Sequence, residues 1–218
     1  MNNINIIWLG DKPIYNKYLN TIKEFIPNMN IKIWNEYDIE NITEEGITNR
    51  YYWNKIKNKQ YAYASDYARF KILYEKGGLY IDTDVEFIKP IDDLLEYGNF
   101  LGIEKLTKRV ASGVIMYFKE PYHPILKKCL EIYDEYQDFP YIIDGNVLMG
   151  SLIENGYTVF NNEDISYRCN DITIYDSSFF CPFLPDENKD KSVLKNNTRA
   201  IHHYTNFWVE ENNQLNKK

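Results

Sequence analysis

Two aspartates one residue apart, Asp82 and Asp84, are the residues of this sequence best suited to chemistry. They lie in the apolar run Leu79–Val85, which predicts a strand. Side chains alternate faces along a strand, so both carboxylates are predicted on one side, opposite the core. Neighbouring carboxylates repel each other, and a divalent cation removes that repulsion while gaining oxygen ligands. The spacing predicts a metal site whose ion bridges the phosphates of a leaving nucleotide diphosphate. Two solvated aspartates on an edge strand are the alternative.

A second charged pair, Asp66 and Arg69, precedes these aspartates on a helix predicted from Tyr61 to Lys76. The i, i+3 spacing places both residues on one helix face. Arg69 is suited to a phosphate or a sugar hydroxyl, and Asp66 is suited to accept hydrogen bonds from sugar hydroxyls. An ordinary ion pair on the helix is the simpler interpretation.

The stretch from Ala64 to Val85, ASDYARFKILYEKGGLYIDTDV, closely resembles the sugar-binding DxD region of a glycosyltransferase family. That family includes bacterial capsular-polysaccharide transferases and yeast Och-type mannosyltransferases, and the large clostridial glucosylating toxins share its core. The opening run NIIWLGDKP, Asn5–Pro13, is similar to the family's first strand. The run AIHHYTNFW, Ala200–Trp208, is similar to its closing segment, although Asn-Phe-Trp stands where a Ser-Trp pair is common.

The resemblance implies an α/β fold of the GT-A type, a Rossmann-like and mostly parallel sheet flanked by helices. It also implies a divalent metal, Mn²⁺ or Mg²⁺, held by Asp84, His203 and Asn206. Trp8 would stack on the donor base, and Asp82 would contact the ribose or sugar and the metal's waters. The donor-binding residues expected are Ile7, Trp8, Gly10, Ser65, Asp66, Arg69, Tyr80, Asp82, Asn146 and Trp208. The residues expected to act in catalysis are Asp66, Arg69, Asp82 and Asp144.

The run Asp144-Gly145-Asn146 begins another predicted helix, Asp144–Glu154. Its N-terminus is one candidate for the surface that faces the donor sugar or the acceptor. On local grounds Asp144 is a good N-cap, and that is the favoured interpretation of this residue.

For the reaction, the resemblance implies retention of configuration at the anomeric carbon. UDP-glucose or UDP-galactose is the expected donor, although the wider family also uses GDP-sugars. The expected acceptor is a hydroxyl of a growing surface or capsular glycan, which is lipid-linked in one version of this hypothesis. No residue of the sequence stands out as a nucleophile. Front-face attack by the acceptor hydroxyl, assisted by the departing phosphate, is therefore the expected chemistry.

Patterning around these residues predicts a β-α-β opening, with a helix at Tyr15–Phe25 between strands at Asn5–Leu9 and Ile31–Trp34. Further strands are predicted at Leu79–Val85, Phe100–Ile103, Val110–Phe118 and Ala200–Tyr204, and a further helix at Tyr122–Tyr136. The segment Asn161–Asn197 is polar and broken by prolines, and shows no clear pattern. One domain over residues 1–218 is expected, with a polar tail after about residue 209.

The composition narrows the classes of protein that fit. The chain has 218 residues and a net charge of −7, so it is a poor binder of nucleic acid. Three cysteines without CxxC spacing disfavour a disulfide framework and a zinc site. The N-terminus lacks a basic start, and no apolar run approaches the roughly 20 residues of a membrane span. A cytoplasmic protein is expected, with at most peripheral contact at the inner face of a membrane.

Two other functions fit parts of the pattern. A haloacid-dehalogenase-type phosphatase also has a DxD pair after an apolar strand, but near its N-terminus, whereas 81 residues precede Asp82 here. A catalytically inactive nucleotide-sugar-binding protein would have the same fold without turnover. The joint presence of Asp82, Asp84, His203 and Trp208 argues against that second reading.

Overall fold

The structure, a computed structural model, describes residues 3–14 and 17–205. The strands within these ranges are β1 Asn3–Ile7, β2 Asn30–Trp34, β3 Gly78–Ile81, β4 Val85–Phe87, β5 Asn99–Glu104, β6 Arg109–Val110, β7 Ile115–Phe118, β8 Tyr167–Cys169, β9 Ile172–Tyr175 and β10 Ala200–His202. The helices are α1 Leu19–Phe25, α2 Glu36–Glu40, α3 Arg50–Lys57, α4 Tyr61–Lys76, α5 Asp92–Tyr97, α6 Pro124–Glu135, α7 Asp144–Glu154 and α8 Ser177–Phe180, with a short 3-10 helix at Lys191–Val193.

Most strands form one large mixed sheet with the order β2-β1-β3-β7-β5-β9-β8, and β6 pairs with β5. Pairing is parallel between β1 and both β2 and β3, and between β5 and β9. β7 runs antiparallel to both of its neighbours, β3 and β5. The strands β2, β1, β3, β5 and β9 therefore all point the same way. This arrangement confirms the predicted α/β class and the β-α-β opening.

Two apolar cores lie against the sheet, and alternation along β3 separates them. Tyr80 belongs to one core, whose helical part includes Phe70 and Leu73 of α4. Leu79 and Ile81 belong to the other, together with residues of α1, α5 and α8. Since successive side chains of a strand point to opposite faces, the two cores lie on opposite faces of the sheet. Helix α4 is thereby fixed against the strand that leads into the DxD pair.

The strand predicted over Leu79–Val85 is wrong in its second half. β3 ends at Ile81, and residues 82–84 form a turn that the Val85 amide closes on the Asp82 carbonyl at 3.3 Å. The chain then leaves the large sheet, because β4 pairs antiparallel with β10 in a separate two-stranded sheet. Strand alternation therefore does not orient the two aspartates. The segment Asp82–Asp84 is called the DxD turn below.

Two other predictions differ from the structure between the motifs. The strand predicted over Val110–Phe118 is instead β6 and β7, joined by residues 111–114, which line a cavity. The segment predicted to lack pattern contains β8, β9 and α8. Within the part of the chain that the structure describes, no helix has the length and apolar character needed to cross a membrane.

Candidate active site

A cavity of about 720 Å³ opens where β1 and β3 end. Its walls come from Ile7 at the end of β1, one face of α4, the DxD turn, the segment around β6, the start of α7 and the end of β10. Ligands of open α/β sheets bind at the carboxyl ends of the strands, where this cavity lies. The volume is in the range of pockets that hold small molecules.

Three potential metal ligands, Asp82, Asp84 and His202, converge at the base of this cavity. One ligand atom from each lies within 4.8 Å of the others. The Nε2 atom of His202 is 3.2 Å from a carboxylate oxygen of Asp84. The other oxygen of Asp84 accepts hydrogen bonds from the amide of Thr205 at 2.8 Å and from its hydroxyl at 3.1 Å. The DxD turn thus brings the two carboxylates together, although a strand was predicted to do so.

The charges of this group favour a cation. Burial opposes ionisation of Asp84, but the hydrogen bonds from His202 and Thr205 outweigh it and lower its pKa to about 2. Burial likewise opposes protonation of His202, but Asp84 and the Cys181 thiol hold the pKa of the imidazole well above its usual range. Burial raises the pKa of Asp82, and the charge of Asp84 adds to that increase. Without a metal, the raised pKa keeps a proton on His202 beside Asp84, and a bound cation would take the place of that proton.

The structure turns His202, rather than the predicted ligand His203, toward the DxD turn. His203 stacks on Tyr18 with ring centroids 4.4 Å apart, and its Nε2 lies 2.9 Å from Glu86. Neighbouring side chains along an extended chain point to opposite sides, so His202 and His203 cannot both face Asp84. β10 pairs His202 with Val85, and this register turns His202 toward the DxD turn. Asn206, the other ligand expected from the closing segment, lies outside the described residues.

Replacing His202 with alanine is expected to weaken Mn²⁺ binding by at least about 100-fold, the upper end of losses seen when only a ligand's supporting residue is removed. His203→Ala is the matched control, and it should change Mn²⁺ affinity by less than about threefold, since its imidazole is bound to Glu86 instead. Titration of Mn²⁺ followed by electron paramagnetic resonance measures both. A larger loss for His203→Ala would restore the assignment made from the sequence.

A second polar group, the arginine cluster, consists of Arg69 with Asp66, Asp144 and Ser112. The guanidinium lies 2.8 Å from Asp66 and 3.1 Å from Asp144. The Ser112 hydroxyl also donates a hydrogen bond to Asp144. Arg69 is 5% exposed, and Asp82 lies 3.9 Å from it, so the cluster adjoins the DxD turn. The predicted contact between Asp66 and Arg69 is present, but within a larger buried network.

The arginine cluster holds more negative than positive charge. Burial raises the pKa of Asp66 well above its usual range, and the charge of Asp144 raises it further against the opposing effect of Arg69. Burial also opposes the charge of Arg69, yet Tyr80 and the three aspartates around it keep its pKa well above the usual value. One guanidinium therefore serves several carboxylates. Hydroxyl groups that donate to those carboxylates would be bound favourably.

Asp144 does not have the capping role favoured from the sequence. The N-cap of α7 is Ile143, and no side chain caps this end of the helix. The Asp144 carboxylate turns instead toward Arg69, because a charged partner in a buried site outweighs a backbone amide at the protein surface. Asp144 therefore contributes to the wall of the cavity, together with Asn146.

The predicted donor-binding residues divide into three sets. Those that line the cavity are Ile7, Ser65, Asp66, Arg69, Tyr80, Asp82 and Asn146. Trp8 and Gly10 follow β1 but do not line the cavity; the Trp8 indole donates to the Lys12 carbonyl at 2.7 Å, and the Gly10 amide donates to Glu36 at 2.6 Å. Base stacking by Trp8 therefore stays a prediction. Trp208 lies outside the described residues.

Sequence reasoning missed the segment that precedes β7. A Cβ atom on Gly113 would lie 2.9 Å from Nη1 of Arg69 and 3.3 Å from Oδ2 of Asp82. Only a residue without a side chain therefore fits between the arginine cluster and the DxD turn. The run of small residues Ala111, Ser112 and Gly113 is the sequence signal that could have indicated this close approach.

Solved structures of other proteins share the fold of this chain. The chain superposes on an active-site mutant of LgtC with a TM-score of 0.50 and 14% identity, covering 99% of this chain and 95% of that one. It superposes on the PaToxG glycosyltransferase with a TM-score of 0.53 and 19% identity, covering 71% and 69%. These likenesses show the fold, which is the GT-A fold expected from the sequence.

Part of the sequence matches a known family: residues 14–101 match the family described as glycosyltransferase sugar-binding region containing DXD motif. Human alpha-1,4-N-acetylglucosaminyltransferase is 38% identical over 73 residues, which are 34% of this chain and 19% of that protein. An uncharacterized glycosyltransferase of Acanthamoeba polyphaga mimivirus is 28% identical over 171 residues, or 72% of this chain and 62% of that protein. The resemblance seen in the sequence is confirmed over residues 14–101, which match this family. The chain spans less than two thirds of the length of either relative.

Proposed function

We propose that this chain transfers a hexose from a nucleotide-sugar donor to a hydroxyl group of a glycan acceptor, with the help of a divalent cation. One observation carries the proposal. A carboxylate-imidazole group suited to a metal and a buried cluster suited to sugar hydroxyls line the same cavity, and Asp82 lies between them. Such a pair of adjacent subsites fits a ligand that has a diphosphate at one end and a sugar at the other.

The residues around the DxD turn fit the cation that the family implies. Two carboxylates and one imidazole suit Mn²⁺, and Mg²⁺ less well because it prefers oxygen ligands alone. Asp82, Asp84 and His202 would hold the ion, which supplies positive charge that stabilises the diphosphate as it leaves. Thr205 fixes the Asp84 carboxylate through two hydrogen bonds, so the ligand orientation is set by the protein.

The arginine cluster is the proposed binding site for the sugar. Asp66 and Asp144 accept hydrogen bonds from hydroxyl groups, and Arg69 keeps both carboxylates in place. Tyr80 donates its hydroxyl to Asp82 at 2.5 Å, which leaves the second oxygen of Asp82 for the cation, the ribose or the sugar. The fixed positions of these groups supply orientation at the reacting carbon.

We further propose that the configuration at the anomeric carbon is retained. Asp66 and Asp144 are both bound by Arg69, so neither is free to attack the anomeric carbon. The acceptor oxygen would form its bond to that carbon on the face from which the phosphate departs. The hydroxyl proton would pass to the departing phosphate oxygen as the carbon–oxygen bond of the donor breaks. A uridine donor is favoured through stacking on Trp8, and a surface or capsular glycan, free or lipid-linked, is the proposed acceptor.

The proposal is tested by proton NMR of the protein with Mn²⁺ and, in turn, UDP-glucose, UDP-galactose and GDP-mannose. Slow hydrolysis of one donor is expected, with the α-anomer of the free sugar appearing before mutarotation sets in. Appearance of the β-anomer first would contradict retention. If no donor in a wider panel of UDP- and GDP-sugars is consumed, with or without a mixture of acceptor glycans, the proposed transfer is contradicted.

A further inference from the structure

One cation that lines the cavity has no ion-pair partner among the described residues. Arg109, on β6, is exposed, and its side chain forms no ion pair with any carboxylate in the part of the chain that the structure covers. Glu104 lies directly across from it in the β5–β6 pairing, yet does not reach ion-pair distance. Arg109 therefore differs from Arg69, whose charge is fully engaged by aspartates.

β5 and β6 form an antiparallel hairpin. Its two lysines, Lys105 and Lys108, form ion pairs outside the cavity. Lys105 donates to the Pro182 carbonyl at 3.0 Å and forms an ion pair with Glu187 at 3.2 Å. Lys108 lies 2.9 Å from Glu163. Neither lysine lines the cavity. The positive charge that the hairpin presents to a ligand is therefore that of Arg109.

The position of Arg109 assigns it to the acceptor rather than to the nucleotide. β6 pairs with β5, which lies three strand positions from β1, or roughly 14 Å at about 4.8 Å per strand. The donor base is proposed to stack on Trp8, directly after β1. Ser112 of the arginine cluster follows Arg109 by three residues, a span of about 10 Å at most. Arg109 therefore lies on the side of the arginine cluster away from β1, within reach of a sugar bound next to the donor sugar.

Most of the charged side chains that line the cavity with Arg109 are carboxylates, so Arg109 would discriminate between neutral and anionic acceptors. Five carboxylates line the cavity, namely Asp66, Asp82, Asp84, Glu104 and Asp144. An anionic acceptor would be repelled by such a wall unless a cation met its charge. We propose that the acceptor has an anionic group, a carboxylate or a phosphate, about one sugar ring from the accepting hydroxyl, and that Arg109 binds this group. The inference rests on the proposed function, because it names the substrate class of that transfer.

The test compares matched acceptors in the gluco and galacto series with the donor that NMR identifies. Each series contains a neutral methyl glycoside, the corresponding methyl uronoside and the methyl glycoside 6-phosphate. The protein is expected to use an anionic member with a kcat/KM about 10- to 100-fold above that of the neutral one, as a charge-assisted contact allows. The preferred anion distinguishes an acidic sugar from a phosphorylated acceptor.

Variants of the hairpin show whether Arg109 is responsible. In Arg109→Gln the preference for the anionic acceptor should disappear, whereas Arg109→Lys should keep part of it. Lys108→Gln, which removes one positive charge from the same hairpin outside the cavity, should keep it in full. Equal use of neutral and anionic acceptors, use of none of the anionic ones, or an unchanged preference in Arg109→Gln would overturn the inference. Failure of the unaltered protein to release nucleotide from any donor would instead overturn the proposed function.

Discussion

Replacing Asp84 with asparagine is expected to lower metal-dependent donor turnover by about 1,000-fold or more. Asp84 contributes a full negative charge to the proposed metal group, and its pKa of about 2 keeps that charge present at neutral pH. Asparagine has a similar shape but loses the charge that attracts the cation and strengthens the hydrogen bonds from Thr205. Stabilisation of a leaving diphosphate by a metal is worth several kcal/mol, and each 1.4 kcal/mol or so is a factor of ten.

Glu86→Gln is the matched control for Asp84→Asn. Glu86 lies two residues further on, in β4, and binds Lys191 at 2.7 Å and His203 at 2.9 Å outside the cavity. Its loss should change turnover by less than about threefold. Release of nucleotide diphosphate at saturating Mn²⁺ measures both variants. Equal losses in the two variants would show that general charge, rather than the proposed metal group, accounts for the effect.

Replacing Arg69 with methionine is expected to lower the free energy of unfolding by about 3–5 kcal/mol and to abolish turnover. Removing one partner of a buried ion pair leaves the other partners uncompensated, and here Asp66 and Asp144 are both left without their cation. Urea unfolding of the metal-free protein measures the change. Arg50→Met is the control, because Arg50 and Asp138 are exposed and such an ion pair contributes little to stability.

The loss in Arg69→Met should depend on pH. The folded pKa of Asp66 is raised above its unfolded value, so protonation of this carboxyl favours the folded state, and that stabilisation disappears as pH rises through the folded pKa. Without Arg69 the pKa rises further. The difference between variant and parent is therefore expected to shrink as pH falls through the raised pKa of Asp66. A difference that does not shrink on acidification would contradict an effect of Arg69 on the ionisation of Asp66.

The helices and strands that position the site were predictable where the sequence has a clear termination signal, such as a glycine directly after a helix. Helix α4 has the predicted bounds, because Gly77 follows it with a φ of 62°, a conformation that glycine adopts without strain. The A-S-D-x-x-R motif on that helix and the start of the strand after it therefore fell in the right places. Asp66, Arg69 and Asp82 accordingly line the same cavity.

The choice between adjacent histidines was not available from local pattern. Which of His202 and His203 faces Asp84 depends on the register of β10 against β4, two segments more than a hundred residues apart in sequence. A shift of one residue in that register exchanges the two side chains. The resemblance of the closing segment assigned the ligand to His203, whereas long-range strand pairing turns His202 toward Asp84.

Asp144 shows how a buried charge outweighs a local preference. Its position at the start of α7 is typical of a helix cap, and nothing nearby in sequence indicates another partner. Arg69 lies 75 residues earlier, and the two meet only because α4 and α7 border the same cavity. Ser112 reaches this network through the small-residue segment before β7. The role of Asp144 therefore depends on tertiary packing, which the sequence pattern does not indicate.

Metal-dependent sugar transfer is tested most directly by the release of nucleotide diphosphate from a panel of UDP- and GDP-sugars, measured with Mn²⁺ and again with an excess of chelator. One donor is expected to release nucleotide only when Mn²⁺ is present, and Asp84→Asn should release none above background. Release that persists in chelator, or cleavage of p-nitrophenyl phosphate while every nucleotide-sugar stays intact, would contradict metal-dependent sugar transfer in this cavity.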